Sequence, residues 1–207
     1  MKPYPTIPGG VRRGAPVHIF DKLDGSNVRV EWTRKREFHK FGKRSGLLDG
    51  SWDMTPHLCE APGLITAKYE EDLSNACRAN RWDKATFFFE FSGPSSFAGW
   101  HVDEPHDVVL IDASVHRKGF LEPKDYVRLF GHLDMAKLLH VGNFTQDIAD
   151  QVAAGTFQGM TFEGVVAKGA WDKKMGCPLM FKWKNLAWFA KLRDRCNGDE
   201  ALFESLM

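Results

Sequence analysis

Apolar and polar positions alternate most clearly in five short stretches. Val17-His18-Ile19-Phe20 and Val28-Arg29-Val30-Glu31-Trp32 are β-branched or aromatic at a period near two, so each predicts a strand. Gly25 between them predicts a tight turn, giving strand, turn, strand with Lys22 where the first strand ends. Phe87-Phe88-Phe89-Glu90-Phe91-Ser92-Gly93 predicts an apolar strand closed by glycine, and Phe162-Glu163-Gly164-Val165-Val166-Ala167-Lys168 a short strand headed by an acid. In Met180-Phe181-Lys182-Trp183-Lys184 the period of two places Lys182 and Lys184 on one face and Phe181 and Trp183 on the other.

Helical spacing appears elsewhere. Tyr69 to Asn80 is rich in helix formers and closed by asparagine. Glu122 to Leu139 carries Tyr126, Leu129, Phe130, Leu133 and Leu138, with Pro123 suited to a first turn. Thr145 is placed to cap a helix through Ala154 that Gly155 stops. Asn185 to Cys196 predicts a basic amphipathic helix with Leu186, Phe189 and Leu192 on its apolar face. Residues 1 to 16, rich in proline and glycine, predict extended or looped chain, and Gly46 to Gly63 a loop with short structure. The class expected is α+β with mainly antiparallel sheets flanked by helices.

Bulk properties narrow the picture. A chain of 207 residues is expected to form one domain, burying roughly 70 % of its unfolded surface without staples. Cys59, Cys77, Cys177 and Cys196 show no C-x-x-C spacing, so no zinc site and a reducing compartment are expected. The amino terminus lacks the apolar core of a signal peptide and no run approaches a membrane span, so a cytoplasmic protein without a membrane partner is expected. The net charge of +1 hides an uneven distribution: seven basic residues against two acids from Arg29 to Arg44, seven against one from Lys173 to Arg195, and ten acids against five bases from Gly99 to Glu163. Such asymmetry fits one basic face that follows phosphates and one solvating face; ordinary solvated charge runs are the alternative.

The chemistry lies in lysines and acids at strand ends. A lone carboxylate such as Glu90 in an apolar strand costs several kcal/mol unless it is paired or bonded. Two ammonium groups side by side, as at Lys182 and Lys184, repel unless an anion lies with them. Taken in order, Lys22-x-Asp24-Gly25, the strand of Glu90 and Gly93, Glu163-Gly164-Val165-Val166-x-Lys168 and Lys182-x-Lys184 resemble motifs I, III, IV and V of the covalent nucleotidyltransferases. That superfamily comprises ATP-dependent DNA ligases, RNA ligases and mRNA capping guanylyltransferases. The resemblance covers about residues 17 to 185. Asn27 five residues after the lysine, and Gly42-Lys43-Arg44-Ser45-Gly46, look like the RNA ligase class of phage and RNA-editing type. Asp107 to Asp112 resembles the motif IIIa strand, with Leu110 and Ile111 where the family often stacks an aromatic on adenine.

The resemblance implies a ligase-type nucleotidyltransferase (ATP-grasp-like) fold and an ATP-dependent RNA ligase working in RNA repair. It implies that Lys22 attacks the α-phosphate of ATP and releases pyrophosphate, leaving lysyl-AMP. The AMP then passes to a 5′-phosphate end, which a 3′-hydroxyl seals. Glu90 would bind the ribose, Glu163 would act with Mg²⁺ or Mn²⁺, Lys182 and Lys184 would hold the α-phosphate, Arg44 and Asn27 would orient phosphate and ribose, and Asp24 would matter after adenylation. Asn27 as a plain turn residue stays open beside this role. A lysine of ordinary pKa, about 10.4, is neutral in only about 0.04 % of molecules at pH 7, a deficit of roughly 4.6 kcal/mol. Cations close to Lys22 would favour the neutral amine and neutralise the triphosphate together.

Partners implied are nicked or single-stranded RNA or DNA ends. With 23 residues after Lys184, no OB-fold domain is expected, at most a short helical tail over 185–207. One ligation step is then weak or supplied by a partner protein. With 21 residues before Lys22, NAD⁺ is not the expected cofactor. Minimal DNA nick sealing, a non-catalytic nucleotide- or nick-binding module and, more distantly, capping are the alternatives. Trp183, Trp188 and the histidines are expected to be structural.

Overall fold

A computed structural model of the chain describes residues 1–48, 58–94, 96, 98–99, 101–172 and 177–206. In chain order the elements are β1 (Pro16–Lys22), β2 (Ser26–Thr33), β3 (Glu37–Lys43), β4 (Gly46–Leu47), α1 (Ala61–Ala79), β5 (Lys84–Ser92), β6 (Asp107–Val115) and β7 (Gly119–Phe120). There follow α2 (Pro123–Phe130), β8 (Leu138–Asn143), α3 (Gln146–Ala154), β9 (Gly164–Asp172), β10 (Cys177–Lys184), α4 (Leu186–Arg195) and α5 (Glu200–Leu206). The strands form two sheets within two compact units, each assembled from three chain segments. Among the described residues no helix is long and apolar enough to cross a membrane.

One unit comprises Thr6–Gly25, Ser92–Pro105 and Ala136–Met207 and holds the four-stranded sheet, in the order β10-β9-β1-β8 with antiparallel pairings. Alternation sends Val17, Ile19, Val165, Ala167 and Phe181 to one face, where Phe144 and the α3 residues Ile148, Ala149 and Val152 complete a core. Thr145 caps α3 by accepting from the Ile148 amide, and Gly155, with φ of 74°, ends it as the pattern predicts. A second cluster gathers Ala98, Trp188, Leu192, Cys196 and Phe203. The buried face of α4 is thus Trp188 and Leu192, whereas Leu186, expected on the apolar face, is 66 % exposed at the first turn.

The other unit comprises Met1–Pro5, Ser26–Phe91 and His106–Met135, with a sheet in the order β4-β3-β2-β5-β6-β7. Val28, Val30 and Trp32 are buried from β2, and Trp32 donates to Ser74 of α1 at 2.9 Å. Tyr69 packs on Phe89, and Phe87 on Phe130 of α2. Each such buried aromatic contributes roughly 1.5–3 kcal/mol.

Four sequence expectations change. The strands on either side of Gly25 do not pair as a hairpin: β1 pairs with β8 and β9, β2 with β3 and β5. Helix α1 begins at Ala61, ahead of Tyr69, because Pro62 sits in its first turn and Ala61, Ile65, Tyr69, Leu73 and Cys77 form one buried ladder. Helix α2 stops at Phe130, its end marked by Gly131, and Leu138 and Leu139 lie in β8. Strand β3 was hidden by its basic residues. Of the loop expected over Gly46–Gly63, residues 49–57 lie outside the described residues, as do residues 173–176 of the second basic stretch.

Candidate active site

The polar face of the four-stranded sheet is organised around β9. Its flanking strands bring Lys22 of β1 and Lys184 of β10 into register with the same residue, Gly164. Glu163, just before it and 4 % exposed, bridges the two lysines: Oε2 lies 2.7 Å from Lys22 Nζ and Oε1 3.0 Å from Lys184 Nζ. Gly164 permits this row. Its φ is 139°, and a Cβ there would stand 2.2 Å from the Trp183 carbonyl oxygen and 2.7 Å from Lys184 Cα. Lys182 lies one row further along, half-buried opposite Val166, and its amide donates to the Pro8 carbonyl at 3.0 Å.

Electrostatics on this row are strained by burial. Lys184 is buried with its ammonium 3.5 Å from the centre of the Trp188 ring. Desolvation pushes its pKa down to about 8; the Glu163 carboxylate opposes that shift, while the Lys22 and Lys182 charges assist it. Asp24 is also buried and accepts from the Ala98 amide at 3.1 Å. Burial and then the Glu163 charge raise its carboxyl above the ordinary range, against the Ala98 amide, the Trp188 indole and Lys22.

Asp21 escaped the sequence reading. It is buried, accepts from the Thr161 amide at 3.0 Å, and so ties the segment leading to Glu163 onto β1. Its signal was present in the pattern, since an acid within an apolar strand demands a partner as much as Glu90 does.

The remaining expected residues belong to the six-stranded unit. Asn27 and Glu90 face each other directly across β2 and β5. Asn27 Nδ2 donates to the Phe89 carbonyl at 3.4 Å, while its buried Oδ1 accepts no hydrogen bond among the described residues. Arg44 is exposed on the two-residue turn between β3 and β4. Leu110 is fully buried under Tyr126, whose hydroxyl donates to its carbonyl at 3.0 Å, and Ile111 is half-buried. The geometry therefore gathers Lys22, Asp24, Glu163 and Lys184, sets Lys182 one row away, and pairs Asn27 with Glu90. Trp188 is core, as expected, and Trp183 packs on the α3 core while donating to the Ala149 carbonyl.

Among the described residues no group of three or more His, Cys, Asp or Glu could hold a metal ion alone. Glu163, the expected metal ligand, has both carboxylate oxygens on the Lys22 and Lys184 ammonium groups, so a cation bound there would share the carboxylate with them.

No protein-family model and no curated protein matches the sequence. Solved structures do match. An RNA ligase of Naegleria gruberi with pyrophosphate aligns at 19 % identity and a TM-score of 0.61, over 88 % of this chain and 53 % of the ligase. A lysine-to-alanine variant of that ligase with ATP and Mn aligns at 16 % identity and a TM-score of 0.60, with the same coverage. An apo variant aligns at 16 % and 0.63, over 94 % of this chain and 61 % of the ligase. The fold is thus the mixed, mainly antiparallel nucleotidyltransferase fold of RNA ligases, and the chain spans about half the length of the first two structures.

Proposed function

We propose that this chain is the adenylation domain of an ATP-dependent RNA ligase, with residues 1–207 acting as one nucleotidyltransferase domain. The observation that carries the reading is the row Lys22, Glu163 and Lys184, a nucleophile and a second cation held by one buried carboxylate at 2.7 and 3.0 Å. The shared fold supports it, and similar ligase structures solved with ATP and Mn support nucleotide and divalent metal as ligands.

In this reading Lys22 Nζ attacks the α-phosphorus of ATP: an N–P bond forms, the bond to the bridging oxygen breaks, and pyrophosphate leaves. The lysine proton must depart, and the Glu163 carboxylate is within hydrogen-bond reach of it. Lys184 and Lys182 supply positive charge for the phosphate oxygens. Glu163 would hold Mg²⁺ or Mn²⁺, which would neutralise phosphate charge. Asp24, anchored by the Ala98 amide, serves the later transfer of AMP to a 5′-phosphate end. Asn27, Arg44 and Glu90 keep the ribose- and phosphate-orienting roles that the resemblance implies, and the buried, donor-less Asn27 Oδ1 supports this for Asn27.

Intact mass after incubation with ATP and Mg²⁺ tests the proposal. One added AMP is expected in the native chain and none in Lys22→Ala; an adduct on the variant, or no adduct on the native chain, overturns it.

A further inference from the structure

Arg29 lies on the same face of β2 as Asn27, yet it is 4 % exposed and makes no ion pair among the described residues. Its guanidinium is spent on backbone instead: Nη1 donates to the carbonyls of Lys43 and Arg44, and Nη2 to that of Gly46. The acceptors surround one feature, the turn Lys43-Arg44-Ser45-Gly46 that joins β3 to β4.

That turn needs an external hold. Two-residue hairpins favour turns with positive φ at the central positions, because those match the twist of the strands. Arg44 and Ser45 are not among the residues with positive φ, so their backbone does not close this hairpin by its own preference. Register sets Gly42 opposite Arg29, and a Cβ at Gly42 would come within 2.8 Å of the Gly46 carbonyl oxygen and 3.1 Å of Arg29 Nε. The missing side chain is what lets the guanidinium reach the turn. A buried guanidinium facing only carbonyls also carries an unneutralised charge, and burial lowers its pKa.

We infer that Arg29 is a positioning residue: it clamps the carbonyls of the 43–46 turn and so fixes the backbone that carries Arg44, to which the proposed function gives a phosphate-orienting role. The nucleotide part rests on the function proposed above; the clamp itself does not.

Hydrogen exchange followed by mass spectrometry reads the clamp without any nucleotide. In Arg29→Met and Arg29→Lys, amides over residues 43–48 should exchange about tenfold faster than in the native chain. Exchange in α1 should stay unchanged, which also reports that the variants fold. Unchanged exchange at the turn would overturn the clamp. The second reading is the rate of lysyl-AMP formation. Arg29→Lys and Arg44→Ala should each raise the KM for ATP by about tenfold with kcat within about threefold, and the double variant should be no worse than either single one. Multiplying effects would show that Arg29 does not act through Arg44 and would overturn the inference. Absence of adduct in the native chain would instead defeat the ligase reading, while the exchange experiment still decides the clamp.

Discussion

Lys184 is the residue whose chemistry is most exposed to a simple test. Its folded pKa of about 8 lies below the ordinary 10.5, so between these values the folded chain binds fewer protons than the unfolded one. Stability from this group therefore rises as pH climbs from about 8 to 10.5, and is lost as pH falls back through 8. Lys184→Met should remove that rise from urea unfolding curves taken across the window. The proposed phosphate contact would move the opposite way, because a neutral Lys184 carries no charge to hold a phosphate. Affinity for ATP should fall roughly tenfold as pH passes about 8, and Lys184→Arg should retain it, as measured by calorimetry at several pH values. Loss of affinity at the same pH in the arginine variant would count against the assignment. At this scale the sequence was most legible where chemistry needs rare residues in order: Lys22, Glu163 and Lys184 stand on one row. Arg29 was not legible, because in the linear pattern it is one basic residue among seven between Arg29 and Arg44, and only the fold shows which carbonyls it meets.

Elements were legible where local signals act alone. Helix α3 begins and ends where Thr145 and Gly155 predict, because capping is a backbone matter settled within a few residues. Helix α1 was half missed since Pro62 and Gly63 look like loop, although Pro in a first turn loses no intrahelical bond. Pairing partners were not legible at all: alternation shows which face a strand buries and says nothing of its neighbour, so β1 and β2 looked like a hairpin and are not one. The close pairing of β9 and β10 at Gly164 yields an element-scale prediction. Gly164→Ala places a methyl 2.2 Å from the Trp183 carbonyl oxygen on a backbone with φ of 139°. It should cost about 2–4 kcal/mol in urea unfolding and, by parting Lys22 from Lys184, abolish adduct formation in whatever fraction folds. Thr145→Ala, which loses only the α3 cap, should cost about 1 kcal/mol and leave adduct formation intact.

At the scale of the whole molecule, the charge distribution bears on how the steps of the proposed reaction would respond to salt. The basic run from Arg29 to Arg44 becomes β2, β3 and the following turn, with Arg34, Lys35, Arg36, Lys40 and Arg44 exposed. Part of that charge is already answered: Lys40 lies 4.0 Å from Glu31 and Arg34 3.7 Å from Asp83. If the exposed cations of this run follow a strand, binding of nucleic acid should be salt-sensitive; three phosphate contacts would give a slope of about −2 in log K against log salt on a single strand. In the proposed reaction self-adenylation would use the buried row around Glu163 and need no strand, whereas sealing would have to hold two ends. The two activities should therefore separate: lysyl-AMP should form at a rate little changed between low and moderate salt, while sealing of a nick bearing a pre-adenylated 5′ end should be slow and fall over the same range with that slope of about −2. Substituting deoxyribose for ribose at the 3′-hydroxyl side of that nick distinguishes RNA from DNA sealing, because the 2′-hydroxyl is the group that differs. Equal sealing of both nicks would favour the minimal DNA ligase, and sealing as salt-insensitive as adenylation would mean that the basic surface takes no part in holding the strand.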